Sequence, residues 1–252
     1  MKYKTALLAT LILLAGWHGL SLLIDKPFLP TPLESLLAFF DLAREGAMAK
    51  DFIISLMRVL AGTGLALIFA LPLGLAMGRK KQLNRLLDPF ISILYPVPKV
   101  VLLPIFVVLL GLGNAPKIFL IALIVFFQLL VVLRDAAAAV PAESLLAMRM
   151  LSASRIQAFR HLLLPWCLPD LLTALRVSMG TAVSVLFFAE TFASFDGLGA
   201  LILDGMERRD YAAMYGAIIA LSLLGVFLYE MIGLAERRLC RWKRADGLKT
   251  CG

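Results

Sequence analysis

The sequence predicts an all-α membrane protein with six transmembrane helices, and two observations support this fold class. First, 61% of the 252 residues are hydrophobic and the mean hydropathy is +0.91, values that exclude an ordinary soluble domain. Second, the apolar residues form runs of about 20 residues, long enough to cross ~30 Å of hydrocarbon as helices. The alternating pattern of a lipid-facing β-barrel is absent. The predicted spans are residues 6–24, 52–78, 89–113, 116–133, 171–190 and 211–234.

Residues 1–50 are predicted to hold the first span and a periplasmic loop. Lys2 and Lys4 precede the first apolar run, as they would in a signal peptide. The run continues past Trp17, however, and no small-residue cleavage site ends it, so a retained helix is the better interpretation. Residues 51–235 then form a core of five helices, and residues 236–252 form a basic tail.

The lysine and arginine residues predict the orientation of these helices. With the N-terminus inside, sixteen of the 25 Lys and Arg residues fall in inner segments, six fall in outer segments and three lie within spans. Short cytoplasmic loops of membrane proteins carry an excess of Lys and Arg. Both termini and the segment 141–169 are therefore expected in the cytoplasm.

The segment 141–169 is too polar to cross a membrane, yet it has the periodicity of a helix. A stripe recurs at three- and four-residue steps, and its members are Leu145, Met148, Leu151 or Ser152, Ile156, Phe159 and Leu163. Ser154 followed by Gln157 forms the pattern of a capping box that begins a second helix. Pro165 is expected to end that helix. The prediction is a helix–turn–helix outside the membrane with an apolar stripe and a basic rim. This element either docks on a partner or lies on the lipid headgroups.

The third predicted span contains three prolines, so it must be bent or broken. Pro96, Pro98 and Pro104 each remove a backbone donor and clash with the preceding turn. Lys99 lies about 10 residues into this span, which corresponds to a depth of ~15 Å. A lysine at that depth normally faces a cavity or a partner. Lys99 either contacts the freed carbonyl groups or, with Pro96 and Pro98, lines a translocation path.

Apart from Lys117 at the very edge of the fourth span, four other charged residues lie within the predicted spans. Matching their depths suggests the pairs Arg58–Glu190 and Arg176–Glu230, which would neutralise charge across helix interfaces. This structural role is favoured over contact with a substrate. The three intramembrane cations (Arg58, Lys99 and Arg176) outnumber the two carboxylates, which favours an anion if a solute passes through.

Motifs of soluble enzymes and of metal sites are missing from the sequence. It contains no GxxxxGK[ST] loop, no nucleophile elbow and no HExxH motif. The three cysteines form no CxxC pair, and the two histidines are far apart. The net charge of +8 is clustered at the ends of apolar runs, so it does not indicate nucleic acid. We expect no enzyme activity, no cofactor and no metal in this chain.

The segment 141–169 contains Leu-Ser-Ala-Ser-Arg at residues 151–155 and Leu-Leu-Pro at residues 163–165. These motifs resemble the cytoplasmic coupling loop of ABC-importer permeases of the sulfonate/nitrate/taurine branch, with Ser152 in place of the glycine in that loop's Leu-Gly-Ala-Ser-Arg core. Of the Glu-Ala-Ala pattern only Ala147 matches, and Glu143 lies one turn earlier. The resemblance implies an ATPase-coupling site formed by Glu143, Ala147, Arg149, Leu151, Ser152, Ala153, Ser154, Arg155, Phe159, Leu164 and Pro165.

Further motifs extend the resemblance over roughly residues 50–235. They are residues 55–62 (SLMRVLAG), 71–74 (LPLG), 88–89 (DP), 96–99 (PVPK), 103–104 (LP), 111–113 (GLG) and 197–199 (GLG). The resemblance implies a type I importer permease fold with cytoplasmic coupling helices in the bacterial inner membrane. It also implies a permease homodimer, two cytoplasmic ATPase subunits and an extracytoplasmic substrate-binding protein.

The expected substrate of such a permease is a small anion such as a sulfonate, nitrate or taurine. Two alternatives stay open at this point. One is an importer of a vitamin precursor, and the other is an ATP-independent secondary transporter or channel. A membrane-bound enzyme would need a polar catalytic cluster, and the sequence offers none.

Overall fold

The computed structural model describes residues 2–240, so most of the predicted basic tail, including Cys251, lies outside the described residues. All regular elements of the described chain are helical. The helices are α1 (Lys2–Ile24), α2 (Pro32–Arg44), α3 (Ala47–Arg79), α4 (Lys81–Leu94), a 3-10 turn (Lys99–Leu102), α5 (Leu103–Leu110), α6 (Asn114–Ala138), α7 (Ala142–Met150), α8 (Arg155–Ala158), a π-helical turn (Phe159–Leu163), α9 (Leu164–Ala193), α10 (Leu198–Glu207) and α11 (Tyr211–Leu239).

Four helices of the described chain are long and apolar enough to cross a membrane. They cover Met48–Arg79, Asn114–Ala138, Arg155–Phe192 and Tyr211–Leu239. A fifth candidate is the pair Lys81–Leu94 and Lys99–Leu110, which is bent by 83°. Leu8–Ile24 forms a shorter apolar helix. The all-helical membrane architecture is confirmed with four or five candidate spans, and the count of six stays a prediction.

Helices α3 and α6 run parallel in close contact. A Cβ atom on Gly62 would lie 2.8 Å from Cβ of Ile121, and one on Gly74 would lie 2.7 Å from Cβ of Leu133. Both contacts join residues 59 positions apart, so the two helices keep the same direction. This register places the first residue of α6 beside position 55, in the first half of α3, so the chain that leaves the far end of α3 must return across the bundle before α6 begins. This return favours counting the bent pair as one crossing.

The chain forms two compact units. The first contains residues Met1–Met57 and Phe187–Leu224, and the second contains Arg58–Leu186 and Gly225–Gly252. In the first unit, the indole N–H of Trp17 donates to the carbonyl of Pro30 at 3.1 Å, and its ring lies 5.6 Å from that of Tyr215. A Cβ atom on Gly216 would lie 2.8 Å from the backbone nitrogen of Phe39. These contacts attach α1 and α2 to α11 within that unit.

The prediction that Pro165 ends a helix is wrong. The chain stays helical from Arg155 to Phe192, a stretch of 38 residues. The π-helical turn explains this, because Leu164 N–H bonds to the carbonyl of Phe159, five residues back. This wider turn immediately precedes the proline, which has no N–H to offer and needs extra room for its ring. The second arm of the helix–turn–helix is therefore continuous with the span that follows it.

Candidate functional site

The turn of the hairpin 141–163 is built around a left-handed serine. Ser152 has a φ of 52°, and its N–H bonds to the carbonyl of Arg149 at 2.9 Å. The N–H of Ala153 bonds to the carbonyl of Met148 at 3.0 Å. These two bonds form a Schellman motif, whose left-handed position is usually a glycine. The position that resembles a family glycine is thus the one that needs glycine-like backbone angles.

The capping box predicted at the start of the second arm is present. The Ser154 hydroxyl oxygen accepts the N–H of Gln157 at 3.2 Å, and the Gln157 side-chain oxygen accepts the N–H of Ser154 at 2.8 Å. The hairpin is therefore fixed by hydrogen bonds between residues that are close in sequence. Local bonds of this kind favour the turn by about 0.5–2 kcal/mol and depend only on neighbouring residues.

The hairpin exposes large apolar side chains on both sides of its turn. Met150 is 87% exposed, Leu151 and Ile156 are each 77% exposed, and Phe159 is 42% exposed. These four are called the exposed hairpin residues below. Of the predicted stripe, Leu145, Met148 and Leu163 are instead half-buried. Among the other predicted coupling residues, the exposed ones are Glu143, Ala147, Arg149, Ser152, Ser154 and Arg155, and the half-buried ones are Ala153, Leu164 and Pro165.

The third predicted span is broken at its prolines, as expected. Pro98 cannot donate a backbone hydrogen bond to Leu94, and the Lys99 ammonium group takes over this function. Its Nζ atom donates to the carbonyl oxygens of Leu94 at 3.0 Å, Tyr95 at 2.9 Å and Val97 at 3.3 Å. The same atom lies 4.5 Å from the ring centre of Phe127. These contacts match the interpretation in which Lys99 binds carbonyl groups freed by the break.

Two adjoining cavities lie beside this break. Their volumes are about 270 and 470 Å³, and both are lined by Tyr95 and Gln128. Lys99 and Thr181 line the smaller cavity, and polar residues of α9 line the larger one. The residues in that second group are Asp170, Thr173 and Ser178.

Gln128 is the polar residue that connects the two cavities, and sequence reasoning missed it. Its Nε2 atom donates to Thr181 at 3.3 Å, whereas its Oε1 atom is buried and has no hydrogen-bond partner among the described residues. A buried unpaired polar atom is uncommon and needs an explanation. The available signal was a lone glutamine inside the predicted span 116–133.

Glu190 is fully buried, and its carboxylate is bound by groups of the first unit. It accepts the hydroxyl of Ser55 at 2.8 and 3.0 Å and the N–H of Gly199 at 2.8 Å. Ser55 also accepts the N–H of Leu198 at 2.9 Å. A Cβ atom on Gly199 would lie 2.6 Å from Cβ of Glu190, so this glycine is required by close approach. Ser55, the first residue of the motif 55–62, meets the motif 197–199 here.

The other intramembrane charges have defined neighbours as well. Arg58, 2% exposed, donates from Nε to the side-chain oxygen of Asn114 at 2.8 Å, and its pairing with Glu190 stays a prediction. Arg176 lies 3.4 Å from Glu236, whereas its predicted partner Glu230 is exposed. The helix α11 extends past residue 234, and Glu236 shares a face with Tyr229, which also contacts Arg176. The predicted pair Arg176–Glu230 is corrected accordingly.

Metal-binding clusters are not found in the described part of the chain. No group of three or more His, Cys, Asp or Glu side chains is placed to hold a metal ion there. Cys167 is a buried free thiol, and Cys240 is buried as well. The chemistry offered by the described residues is therefore that of a polar cavity and a protruding hairpin.

Comparison with known proteins gives consistent matches over most of the chain. The sequence profile of a family described as the binding-protein-dependent transport system inner membrane component matches residues 62–241. The chain is 30% identical to the taurine transport system permease protein TauC of Escherichia coli (strain K12), over 92% of this chain and 86% of that protein. It is 31% identical to the putative aliphatic sulfonates transport permease protein SsuC of the same organism, over 93% and 87%.

A solved structure has a similar fold. It is described as showing inward-facing conformations of the MetNI methionine ABC transporter, and the alignment has a TM-score of 0.64 with 18% sequence identity. The match covers 79% of this chain and 97% of the other chain. At this identity the similarity establishes the fold alone.

Proposed function

The chain belongs to the family of inner membrane components of binding-protein-dependent transport systems, and from that premise we propose that it is the permease subunit of an ATP-driven importer of small organic anions. It receives substrate from an extracytoplasmic binding protein and passes it across the inner membrane. Its ATP is hydrolysed by two partner ATPase subunits, and a second permease copy completes the pathway. Family membership and the relatives with permease functions support this proposal.

The exposed hairpin residues form the ATPase contact in this proposal. The observation that carries it is the exposure of Met150, Leu151 and Ile156 on a hairpin that local hydrogen bonds already fix. Burying an exposed apolar side chain of this size contributes roughly 1.5–3 kcal/mol. Because the hairpin is ordered before binding, little of that free energy is lost to ordering it.

The continuous helix Arg155–Phe192 links this contact to the cavities. It begins in the hairpin and is about 57 Å long at 1.5 Å per residue. The same helix supplies Thr173, Ser178 and Thr181 to the cavity walls. A displacement of the hairpin by a moving ATPase would therefore move a cavity wall directly. This is the route by which ATP-driven motion reaches the substrate path in our proposal.

The two cavities beside the broken span form part of the substrate path in this proposal. Gln128 can accept a hydrogen bond from an N–H or ammonium group of a small polar solute, because its Oε1 atom is unpaired within the described residues. Lys99 lies on the wall of the smaller cavity and gives it positive charge, while Pro96 and Pro98 create the break that Lys99 stabilises. The relatives named for taurine and aliphatic sulfonates favour a sulfonate-like anion.

Two substitutions test the ATPase contact. Phe159→Asp and Ile156→Asp each place a charge where we expect an apolar interface, and burying an unpaired charge is strongly unfavourable. We expect both variants to insert in the membrane as the wild type does, but to lose the ATPase during purification and to lose transport. Ala142→Asp is the matched control, because it adds the same charge to the first turn of α7, where a negative charge is favourable.

Retention of the ATPase by both hairpin variants would contradict the proposed contact, and the hairpin would then be better interpreted as lying on lipid. A separate measurement tests the ATP-independent alternative. Uptake should disappear in cells that lack the partner ATPase. A secondary transporter or channel would keep its uptake there.

The orientation is proposed from the Lys and Arg bias and has its own test. An impermeant thiol reagent should label Cys251 from the cytoplasmic side only. Cys240 is 6% exposed and therefore unsuitable as a reporter. Labelling of Cys251 in intact cells would reverse the proposed topology.

A further inference from the structure

A third cavity shares no lining residue with the coupling hairpin or with the two polar cavities. It is a groove of about 580 Å³ along α3 and α6, and every residue that lines it is apolar. Ala66 and Ala122, both buried, form its floor, and Phe69, Phe119 and Phe126 stand at its sides. Phe69 and Phe119 are 59% and 50% exposed, so the groove is open to the surroundings.

The groove is about as long as one membrane leaflet is thick. Its lining on α3 runs from Leu65 to Ala76, which is about 16 Å at 1.5 Å per residue. Half of a hydrocarbon core ~30 Å thick is about 15 Å. A groove of this length and composition fits a single acyl chain of a lipid in one leaflet.

Basic residues stand at one end of the groove. Arg79, Lys80 and Lys81 follow Ala76 within five residues and are all exposed. In the described residues neither Lys80 nor Lys81 takes part in an ion pair, whereas the nearby Asp88 is paired with Arg134. The helical period places Arg79 on the same side of α3 as Pro72 and Ala76. Positive charge is thus available where the headgroup of a lipid in the groove would lie.

We propose that this groove binds an anionic phospholipid, with one acyl chain against Ala66 and Ala122 and the phosphate on Lys80 and Lys81. A polar transport substrate does not fit, because the groove offers no hydrogen-bonding side chain. A second copy of the chain is disfavoured at the basic end. A two-fold axis normal to the membrane would place the basic ends of both copies at the same level, so a dimer across this groove would bring their positive charges together. The proposal does not depend on the substrate or on the ATPase contact.

The test measures lipid retained by the full-length permease. Wild-type protein and variants are reconstituted in discs containing equal amounts of phosphatidylglycerol and phosphatidylcholine, extracted, and their bound lipids counted by native mass spectrometry. We expect the wild type to retain phosphatidylglycerol in preference to phosphatidylcholine. The double variant Lys80→Gln with Lys81→Gln should bind phosphatidylglycerol about 25-fold more weakly, since each basic residue near a membrane surface contributes about fivefold.

Two further variants make the result specific. Lys50→Gln removes an exposed lysine from the first turn of the same helix and should leave lipid retention unchanged. Ala122→Leu fills the floor of the groove and should lower retention of both lipids alike, with the helical content checked by circular dichroism. If Ala122→Leu does not fold, the lysine variant still decides the question.

Two results would overturn the proposal. One is undiminished phosphatidylglycerol retention by the double lysine variant. The other is a change in oligomeric mass of Ala122→Leu with unchanged bound lipid, which would make the groove a contact between protein chains.

Discussion

The coupling hairpin and the cluster around Glu190 show two different ways of holding a functional element in place. In the hairpin, the bonds at Ser152 and Ser154 join residues three to five positions apart, and the apolar side chains are exposed. In the cluster, Ser55 reaches Glu190 across 135 positions, and the carboxylate is fully buried. The hairpin is fixed by its own sequence, whereas the cluster exists only when distant segments have folded together.

This difference predicts different effects of substitution in the two regions. A buried carboxylate depends on each group that compensates its charge, so a change there should lower the yield of folded protein. A change in the exposed hairpin should leave folding intact and affect only what binds to it.

The largest effect is expected from the predicted pair Arg58–Glu190. Arg58→Ala should destabilise the protein by about 3–5 kcal/mol, because it leaves a buried charge uncompensated. The double variant with Glu190→Ala should recover part of that loss. The measurement is the yield of monodisperse protein and its thermal midpoint in detergent. Strictly additive losses would mean that the two residues are not partners.

Lys99 should show an intermediate effect, because it bonds to three carbonyl groups at the break in the third span. Lys99→Met removes all three bonds and should destabilise the protein by about 2 kcal/mol, since an unpaired acceptor away from water costs roughly 1–3 kcal/mol and the Leu94 carbonyl keeps the bond that it accepts from the N–H of Val97. Lys99→Arg keeps a cationic donor and serves as the control. Thermal unfolding and uptake are measured together. Lost uptake in Lys99→Met at an unchanged thermal midpoint would favour direct contact with the substrate.

Gly199 tests the close packing of the buried cluster. Gly199→Ala places a Cβ atom 2.6 Å from Cβ of Glu190 and should cost about 1–3 kcal/mol through overpacking. Gly180→Ala is the matched control, because no heavy atom lies within 4 Å of the added Cβ and alanine is the better helix former. A thermal midpoint equal to that of the wild type in Gly199→Ala would show that the cluster has more room than its geometry indicates.

The smallest effect is expected at Ser152, where a change should stabilise the hairpin. Ser152→Gly relieves a left-handed backbone and should add about 0.5–1 kcal/mol to the local stability of the turn. Hydrogen exchange at the amide of Ala153 should slow by several-fold. Ser154→Gly, which removes the capping side chain, should instead speed exchange in the second arm. Faster exchange at Ala153 in Ser152→Gly would contradict this account of the turn.

The features that could be predicted from the sequence are those that depend on neighbouring residues. The capping box at Ser154, the break at Pro96 and Pro98, and the apolar helices all follow from local propensity and hydropathy. The helix end predicted at Pro165 failed because the local rule for proline does not include the π-helical turn just before it. That turn involves the i to i+5 bond of Leu164 to Phe159, which no simple periodicity indicates.

Long-range partners were the part that sequence reasoning could not supply. Depth matching chose Glu230 for Arg176, but the rotation of α11 brings Glu236 to that position. Gln128 was missed because a single amide in an apolar run does not indicate which residue it will contact, and its neighbour Thr181 is 53 positions away. The bonds from Ser55 and Gly199 to Glu190 likewise require the folded arrangement of three separate segments.

The claim that the hairpin is the ATPase contact is tested most directly by site-specific photo-crosslinking in membranes that contain the complete transporter. A photoreactive amino acid replaces Ile156, which is 77% exposed, or Phe195, which is 98% exposed and serves as a control matched in exposure and apolar character. We expect crosslinks from position 156 to the ATPase subunit and none to it from position 195. Crosslinks from position 156 to lipid alone would show that the hairpin lies on the membrane and does not contact the ATPase.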